Sequence, residues 1–275
     1  MVDHHVADVR PGPVAARDSA ARIGAHAKAL PLRRHVHAYE RCIQTLDAPE
    51  FHLLDDQGGL LSCATVRTVV VLSGGPPPQA ALELPPGAKV VTANGGAELA
   101  RQLDLQVDLA VGDFDSVSKD RLSHVLAFER HPEAKDATDL ELAMQAALRL
   151  GAERVLLIGS DGGRLDHLFG GLQLLASPSF TGVQVDAQLG PSLVHVIRHD
   201  RTIAGRQGEL VSLFAMHGDA LGVSTQGLRY PLEAETLQPG SSRGVSNVFE
   251  APLARVTLVE GVLLAVRPDP HRGGD

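Results

Sequence analysis

The chain contains no tryptophan, two cysteines and only 3% aromatic residues. Cys42 and Cys63 have no close paired spacing and no zinc-type histidine neighbourhood. They read as ordinary thiols of a reducing compartment, not as a disulfide framework. No apolar run approaches the ~18–20 residues a membrane-spanning helix needs. Val69–Leu72 and Val262–Val266 are strand-sized instead. The N-terminus lacks an apolar signal core, so a cytoplasmic protein is expected. Basic charge is also short: 25 Lys and Arg stand against 33 Asp and Glu, a formal net charge of -8. Nucleic acids and anionic membranes need clustered cations, so neither is expected as a partner. The acidic balance suits an enzyme whose carboxylates are partly neutralised by metal cations.

The 275 residues are 44% hydrophobic and 21% charged, enough for one large domain or two modest ones. Residues 1–65 differ from the rest, being rich in Ala, Arg, His and Asp. Asp18 to Leu30 could form an Ala-rich helix, and Phe51–Leu54 a short strand. His4, His5, His35 and His37 do not hold together as a metal site and read as structural or solvated. This stretch is expected to be a partly disordered extension.

From Thr68 the pattern sharpens. Val69–Leu72 is a continuous apolar run, the mark of a strand buried on both faces, and Ser73–Pro78 breaks it at once. Lys89–Ala93 reads as a second strand, followed by Asn94-Gly95-Gly96 and a helix from about Glu98 to Leu103. Leu109–Val111 and Arg154–Ile158 are further strands, and a helix is expected to begin at Ser118. The spacing predicts the clearest helix over Thr138–Leu150. Thr138 and Glu141 form a capping box, Leu142, Ala143, Ala146, Ala147 and Leu150 an apolar stripe, and Gly151 a stop. Another helix is expected over about Leu165–Leu175. Short apolar strands alternating with helices indicate a mostly parallel sheet. After Ser177-Pro178-Ser179, strand-length segments punctuated by glycines indicate an all-β domain of sandwich or barrel type. The expected fold class is therefore α/β: a Rossmann-like, mostly parallel sheet domain over residues 66–178, then an all-β sandwich domain over 179–275.

Three polar clusters fall at the carboxyl ends of the presumed strands, where α/β sheets bind ligands. They are Gly112–Ser116, Lys135–Glu141 and Gly159–His167. Asp113 and Asp115 are two apart in a loop, and carboxylates this close repel unless a cation or proton lies between them. Magnesium takes such carboxylates together with phosphate oxygens. Asp113 as a turn cap, with Asp115 starting a helix, is the structural alternative. Asp136 and Asp139 flank a helix N-terminus, where Asp139 gains ~0.3–1 kcal/mol from the helix dipole. With Lys135 alongside, that terminus also suits a phosphate, and the two roles are compatible. Gly162-Gly163-Arg164 resembles an anion-binding turn with a forked donor. His167 reads equally as a general base or as a buried structural histidine.

Together these residues resemble the thiamine pyrophosphokinase family. The motifs are Gly-Asp-Phe-Asp-Ser from Gly112, Lys135-Asp136-Ala137-Thr138-Asp139, and Gly159 to His167. Gln226–Leu232 and Val245-Ser246-Asn247 resemble two motifs of the family's β domain. The resemblance spans about Val69 to Val266. It implies transfer of a diphosphoryl group from ATP to the hydroxyl of thiamine, releasing AMP. It also implies a homodimer with thiamine at the subunit interface. By the same resemblance Asp113, Asp115 and Asp139 would hold Mg²⁺, and Lys135, Thr138, Gly162, Gly163 and Arg164 would meet the nucleotide. Asp136 and Asp166 would join the catalytic set. Asp166, His167, Tyr230, Ser246 and Asn247 would lie by thiamine. Asn94 departs from the pattern, which has aspartate there. That departure motivates two alternatives: a diphosphotransferase acting on another heterocyclic alcohol, or a weakly catalytic sensor of nucleotide or thiamine diphosphate.

Overall fold

In the computed structural model, residues 53–54, 60–61, 66–78, 84–114, 122–132, 134–160 and 163–270 are described. Asp115, Gly162, both cysteines, the four early histidines, and the helices expected from Asp18 and Ser118 lie outside these residues.

Two short strands, β1 (Leu53–Leu54) and β2 (Leu60–Leu61), pair antiparallel. The central strand β3 (Thr68–Leu72) is buried at every position, as its unbroken apolar run requires. It pairs in parallel with β4 (Lys89–Ala93) on one side and with β7 (Arg154–Gly159) on the other. Beyond β4 lie β5 (Leu109–Gly112) and the edge strand β6 (Phe128–Arg130), also parallel. Three residues with alternating exposure are too short a pattern to read from sequence, and β6 was not anticipated.

Among the described residues three helices cover this sheet: α1 (Gly96–Gln102), α2 (Asp139–Arg149) and α3 (Leu165–Leu175). The α2 start is local chemistry. The Thr138 hydroxyl accepts from Glu141 N at 3.1 Å, and Asp139 and Glu141 place negative charge in the first turn. Ala143, Met144, Ala146 and Ala147 are buried, whereas Leu150 is exposed. The stripe is thus led by Met144, not Leu150, because the helix ends at Arg149 and Leu150 serves as its C-cap ahead of Gly151 at φ 78°. One core joins Val69, Val71 and Val91 to α2, and a second joins Val70, Leu72 and Ile158 to α1 on the opposite face.

The sheet does not end at Pro178. A 3₁₀ turn (Pro178–Phe180) leads into β8 (Gln184–Leu189), which still pairs in parallel with β7. Antiparallel pairing begins at β9 (Ser192–Ile197). It continues through β16 (Leu263–Arg267) and β11 (Leu210–Ala215) to β14 (Asn247–Val248), making one ten-stranded sheet. A second, antiparallel sheet runs in the order β10 (Asp200–Ala204), β15 (Leu253–Thr257), β12 (Ala220–Gln226), β13 (Glu235–Leu237). Its Ile203, Val223, Leu237 and Val256 share a third core with Ile197, Val211, Leu213 and Leu263 of the first sheet. The antiparallel half is therefore a sandwich in which one layer continues the parallel sheet.

A buried ionic hub marks this junction. Asp186 on β8 is 4% exposed. It accepts from His195 Nδ1 at 2.7 Å, Gln184 Nε2 at 2.9 Å and Arg154 Nη2 at 3.3 Å, and from Arg201 of the second sheet. Burial pushes its carboxyl up, but the His195 hydrogen bond and the Arg201 charge outweigh burial and hold it below the usual carboxylate range. No described helix is long and apolar enough to cross a membrane.

Candidate active site

The carboxyl ends of β3, β4 and β7 meet through loops that only small residues allow. A Cβ on Gly96 would lie 1.9 Å from the Leu72 carbonyl oxygen. A Cβ on Gly75, at φ 106°, would lie 2.4 Å from Ser160 Cβ. Backbone therefore packs on backbone, and a cleft of about 1020 Å³ opens beyond the sheet edge. Ser73, Gly74 and Gly75 line it from β3, Asn94 and Gly95 from β4, and Ser160 and Gly163 from the loop after β7. Thr138, Asp139 and Glu141 enter from α2, and Arg164, Asp166 and His167 from α3.

Asp139 is the most constrained acid in this cleft. Its Oδ2 accepts from Asn94 Nδ2 at 3.3 Å, and its Oδ1 lies 2.9 Å from Lys135 Nζ. Oδ1 is buried, and the lysine contact lacks hydrogen-bond alignment, so this oxygen keeps open acceptor capacity. Lys135 also donates to Pro132 O at 3.1 Å, and does not itself line the cleft. A partly satisfied carboxylate oxygen beside an open polyphosphate-sized space suits a hard divalent cation. Asp113 is half-buried at the end of β5, and its carbonyl accepts from Arg130 Nη1 at 3.2 Å. Asp136 is exposed, and neither it nor Asp113 lines the cleft. Among the described residues no three His, Cys, Asp or Glu side chains gather around a common metal position.

Arg164 and Asp166 form a forked pair, Nε to Oδ1 at 3.2 Å and Nη2 to Oδ2 at 2.5 Å. The Arg164 hydrogen bonds hold the Asp166 carboxyl down to about 2. Both side chains are largely exposed, so the pair is easily opened by a ligand. His167 is exposed, which removes the buried structural reading.

The residues expected around the second substrate lie elsewhere. Tyr230 and Asn247 line a separate cavity of about 390 Å³ with Ser241, Ser242 and Arg243. The two cavities have no lining residue in common. Asn247 is buried and works as a strap. Its Oδ1 accepts from Tyr230 N at 3.0 Å and Val248 N at 2.9 Å, while its Nδ2 donates to Tyr230 O at 2.7 Å. Ser246 is exposed beside it at φ 58°, its N–H bound to Ser212 Oγ at 3.0 Å. Sequence reasoning gave the side chains of Ser73 and Ser160 no role of their own and missed the direct contact of Asn94 with Asp139. The glycine runs that bring those loops together were the available signal.

A glycine-floored cleft beyond a parallel sheet, with an acidic helix N-terminus and a forked arginine, defines an α/β enzyme for a phosphorylated substrate. The thiamin pyrophosphokinase catalytic-domain model matches residues 86–186, and the vitamin B1 binding-domain model of the same enzyme matches residues 194–263. The chain belongs to the thiamin pyrophosphokinase family. The thiamine pyrophosphokinase of Bacillus subtilis is 26% identical over 169 residues, 58% of this chain and 77% of that protein. A crystal structure of the Bacillus subtilis enzyme is 23% identical, covers 74% of this chain and 99% of that one, and superposes with a TM-score of 0.65. A family member from Enterococcus faecalis, 25% identical, covers 73% of this chain and 98% of its own, with a TM-score of 0.62. The Candida albicans enzyme shares the fold at 14% identity, with a TM-score of 0.57 and coverage of 74% and 89%.

Proposed function

We propose that this chain transfers a diphosphoryl group from ATP to thiamine, giving thiamine diphosphate and AMP. The carrying observation is the cleft itself, where Thr138, Asp139, Gly163, Arg164 and Asp166 converge beyond the sheet edge. In this reaction the thiamine hydroxyl oxygen attacks the β-phosphorus of ATP. The bond from that phosphorus to the oxygen bridging the α-phosphate breaks, AMP departs with the bond's electrons, and the hydroxyl proton is lost. Such chemistry depends mainly on positioning and charge neutralisation, so His167 need not be a strong base.

Gly163 and the α2 N-terminus offer backbone donors to phosphate oxygens, and Arg164 a fork once released from Asp166. Lys135 acts through Asp139, and Asp136 stands at the mouth of the same helix. Asp139, with Asp113 and Asp115, would hold Mg²⁺. Bound Mg²⁺ would offset charge on the polyphosphate. The open acceptor on Asp139 Oδ1 supports the part of Asp139 in that assignment.

Thiamine would bind at Tyr230, Ser246 and Asn247, facing Asp166 and His167 of a partner copy. The separation of the two cavities supports a homodimer, as does α3, where Leu165 is 78% and Phe169 61% exposed beside the cleft. A reaction of ATP, Mg²⁺ and thiamine followed by chromatography tests the function. Stoichiometric AMP and thiamine diphosphate are expected. Turnover only with a different alcohol would overturn the substrate, and thiamine diphosphate binding without turnover would overturn the activity. Sedimentation of the wild type and Phe169→Glu tests the dimer, which the charge should split.

A further inference from the structure

Asn94 is held rigidly at the cleft wall. Its backbone has φ 38°, a left-handed conformation that Asn tolerates better than most residues. Its N–H donates to Val111 O at 2.9 Å, and its carbonyl accepts from Ala97 N at 3.3 Å. Its side-chain amide then reaches 3.3 Å across the cleft to Asp139 Oδ2, while Lys135 Nζ lies 2.9 Å from Oδ1. One carboxylate, one ammonium and one neutral amide make a charge-balanced set that needs no further cation. An aspartate at position 94 would instead set two carboxylates against each other, an arrangement that repels until a cation or proton enters.

We propose that Asn94 is a positioning residue that orders Asp139 without metal, so that the divalent cation enters the cleft with the nucleotide rather than ahead of it. The inference rests on the proposed reading of Asp139 as a metal-holding residue. In this arrangement Asp139 keeps one oxygen aimed by Asn94 and offers the other. The polyphosphate supplies the ligands and negative charge that a second carboxylate would otherwise provide.

Binding of Mn²⁺ alone, followed by electron paramagnetic resonance, and melting temperature with and without Mn²⁺ test the proposal without any turnover. Asn94→Asp should tighten Mn²⁺ by about tenfold or more, the scale on which residues contacting metal ligands act. It should also lower the metal-free melting temperature and restore it when Mn²⁺ is added. Asn94→Gly, which accepts the same backbone conformation, should not tighten Mn²⁺. A merely structural Asn94 would lower the melting temperature of both variants with no dependence on metal, which would overturn the proposal. Mn²⁺ affinity of Asn94→Asp within about twofold of wild type would do the same, as would equal tightening by Asn94→Gly. Asp139→Asn, measured with Mn²⁺ and a non-hydrolysable ATP analogue together, separates the two levels: if it leaves wild-type Mn²⁺ binding unchanged, the metal reading of the cleft itself fails. If wild-type binding falls but Asn94→Asp still tightens Mn²⁺ in the Asp139→Asn background, only the Asn94 inference fails.

Discussion

Replacing Asp186 by Asn should destabilise this protein severely without touching either cavity. The side chain is 4% exposed and takes N–H groups from strand neighbours and from Arg201 of the second sheet. Asn has nearly the same volume, so packing is kept and the loss is electrostatic. Removing one partner of a buried ion pair costs about 3–5 kcal/mol, because the remaining charge stays desolvated. Against a total stability of ~5–15 kcal/mol this is roughly a fifth to all of it. At ~2–4 °C per kcal/mol for a chain of this size, the melting temperature should fall by about 6–20 °C. The exposed pair Asp200–Arg255, with side chains 49% and 41% exposed, is the internal control. Asp200→Asn should cost at most ~1 kcal/mol. Urea unfolding at pH 7 measures both. The acid limb adds a second signature. The Asp186 carboxyl is held below its ordinary value when folded, so its contribution is present above the unfolded value of ~3.9 and is lost as pH falls towards the folded value. The gap between wild type and Asp186→Asn should therefore narrow as pH falls below about 4. A pH 7 gap under about 1 kcal/mol would refute the hub as a structural tie between the sheets.

Gly75→Ala should push the β3 loop off Ser160 and lower kcat/KM by about 100-fold, measured as AMP release, since small misplacements of positioning groups cost that much. Thr138→Ala should cost ~1 kcal/mol in urea unfolding through loss of the α2 cap. Asn247→Ala strips three backbone hydrogen bonds around Tyr230; it should lower stability by ~2–3 kcal/mol and raise the KM for thiamine more than that for ATP. The Asp166 carboxyl should titrate near 2 by NMR, as the Arg164 pairing requires, and move towards its ordinary value in Arg164→Ala. Activity loss above pH 5 should therefore not trace to Asp166.

Local grammar made much of this molecule legible from the sequence. Val69–Leu72 had to be a doubly buried strand because no polar residue interrupts it, and the structure buries all of it. Thr138 determined where α2 starts, since its cap is settled within one turn, while the Glu141 carboxylate of the expected capping box accepts from Gln145 Nε2 instead. Leu165–Leu175 was readable as a helix end to end. The glycine runs and the order of the polar motifs likewise pointed to a phosphate-handling cleft at the sheet edge. What the chain alone could not show was how distant segments share surfaces. β8 pairs in parallel with β7 across the 3₁₀ turn, because strand pairing depends on where the chain returns and not on its local pattern. Asp186 looks like an ordinary surface acid in sequence, and becomes the hub only when β10 brings Arg201 over it. Asn94 precedes Asp139 by 45 positions, and only the packing of β4 against α2 puts amide and carboxylate in contact. The sequence determined the elements and the chemistry they carry. Tertiary structure decided which charges meet, and charge interactions depend on separations that residue order does not encode.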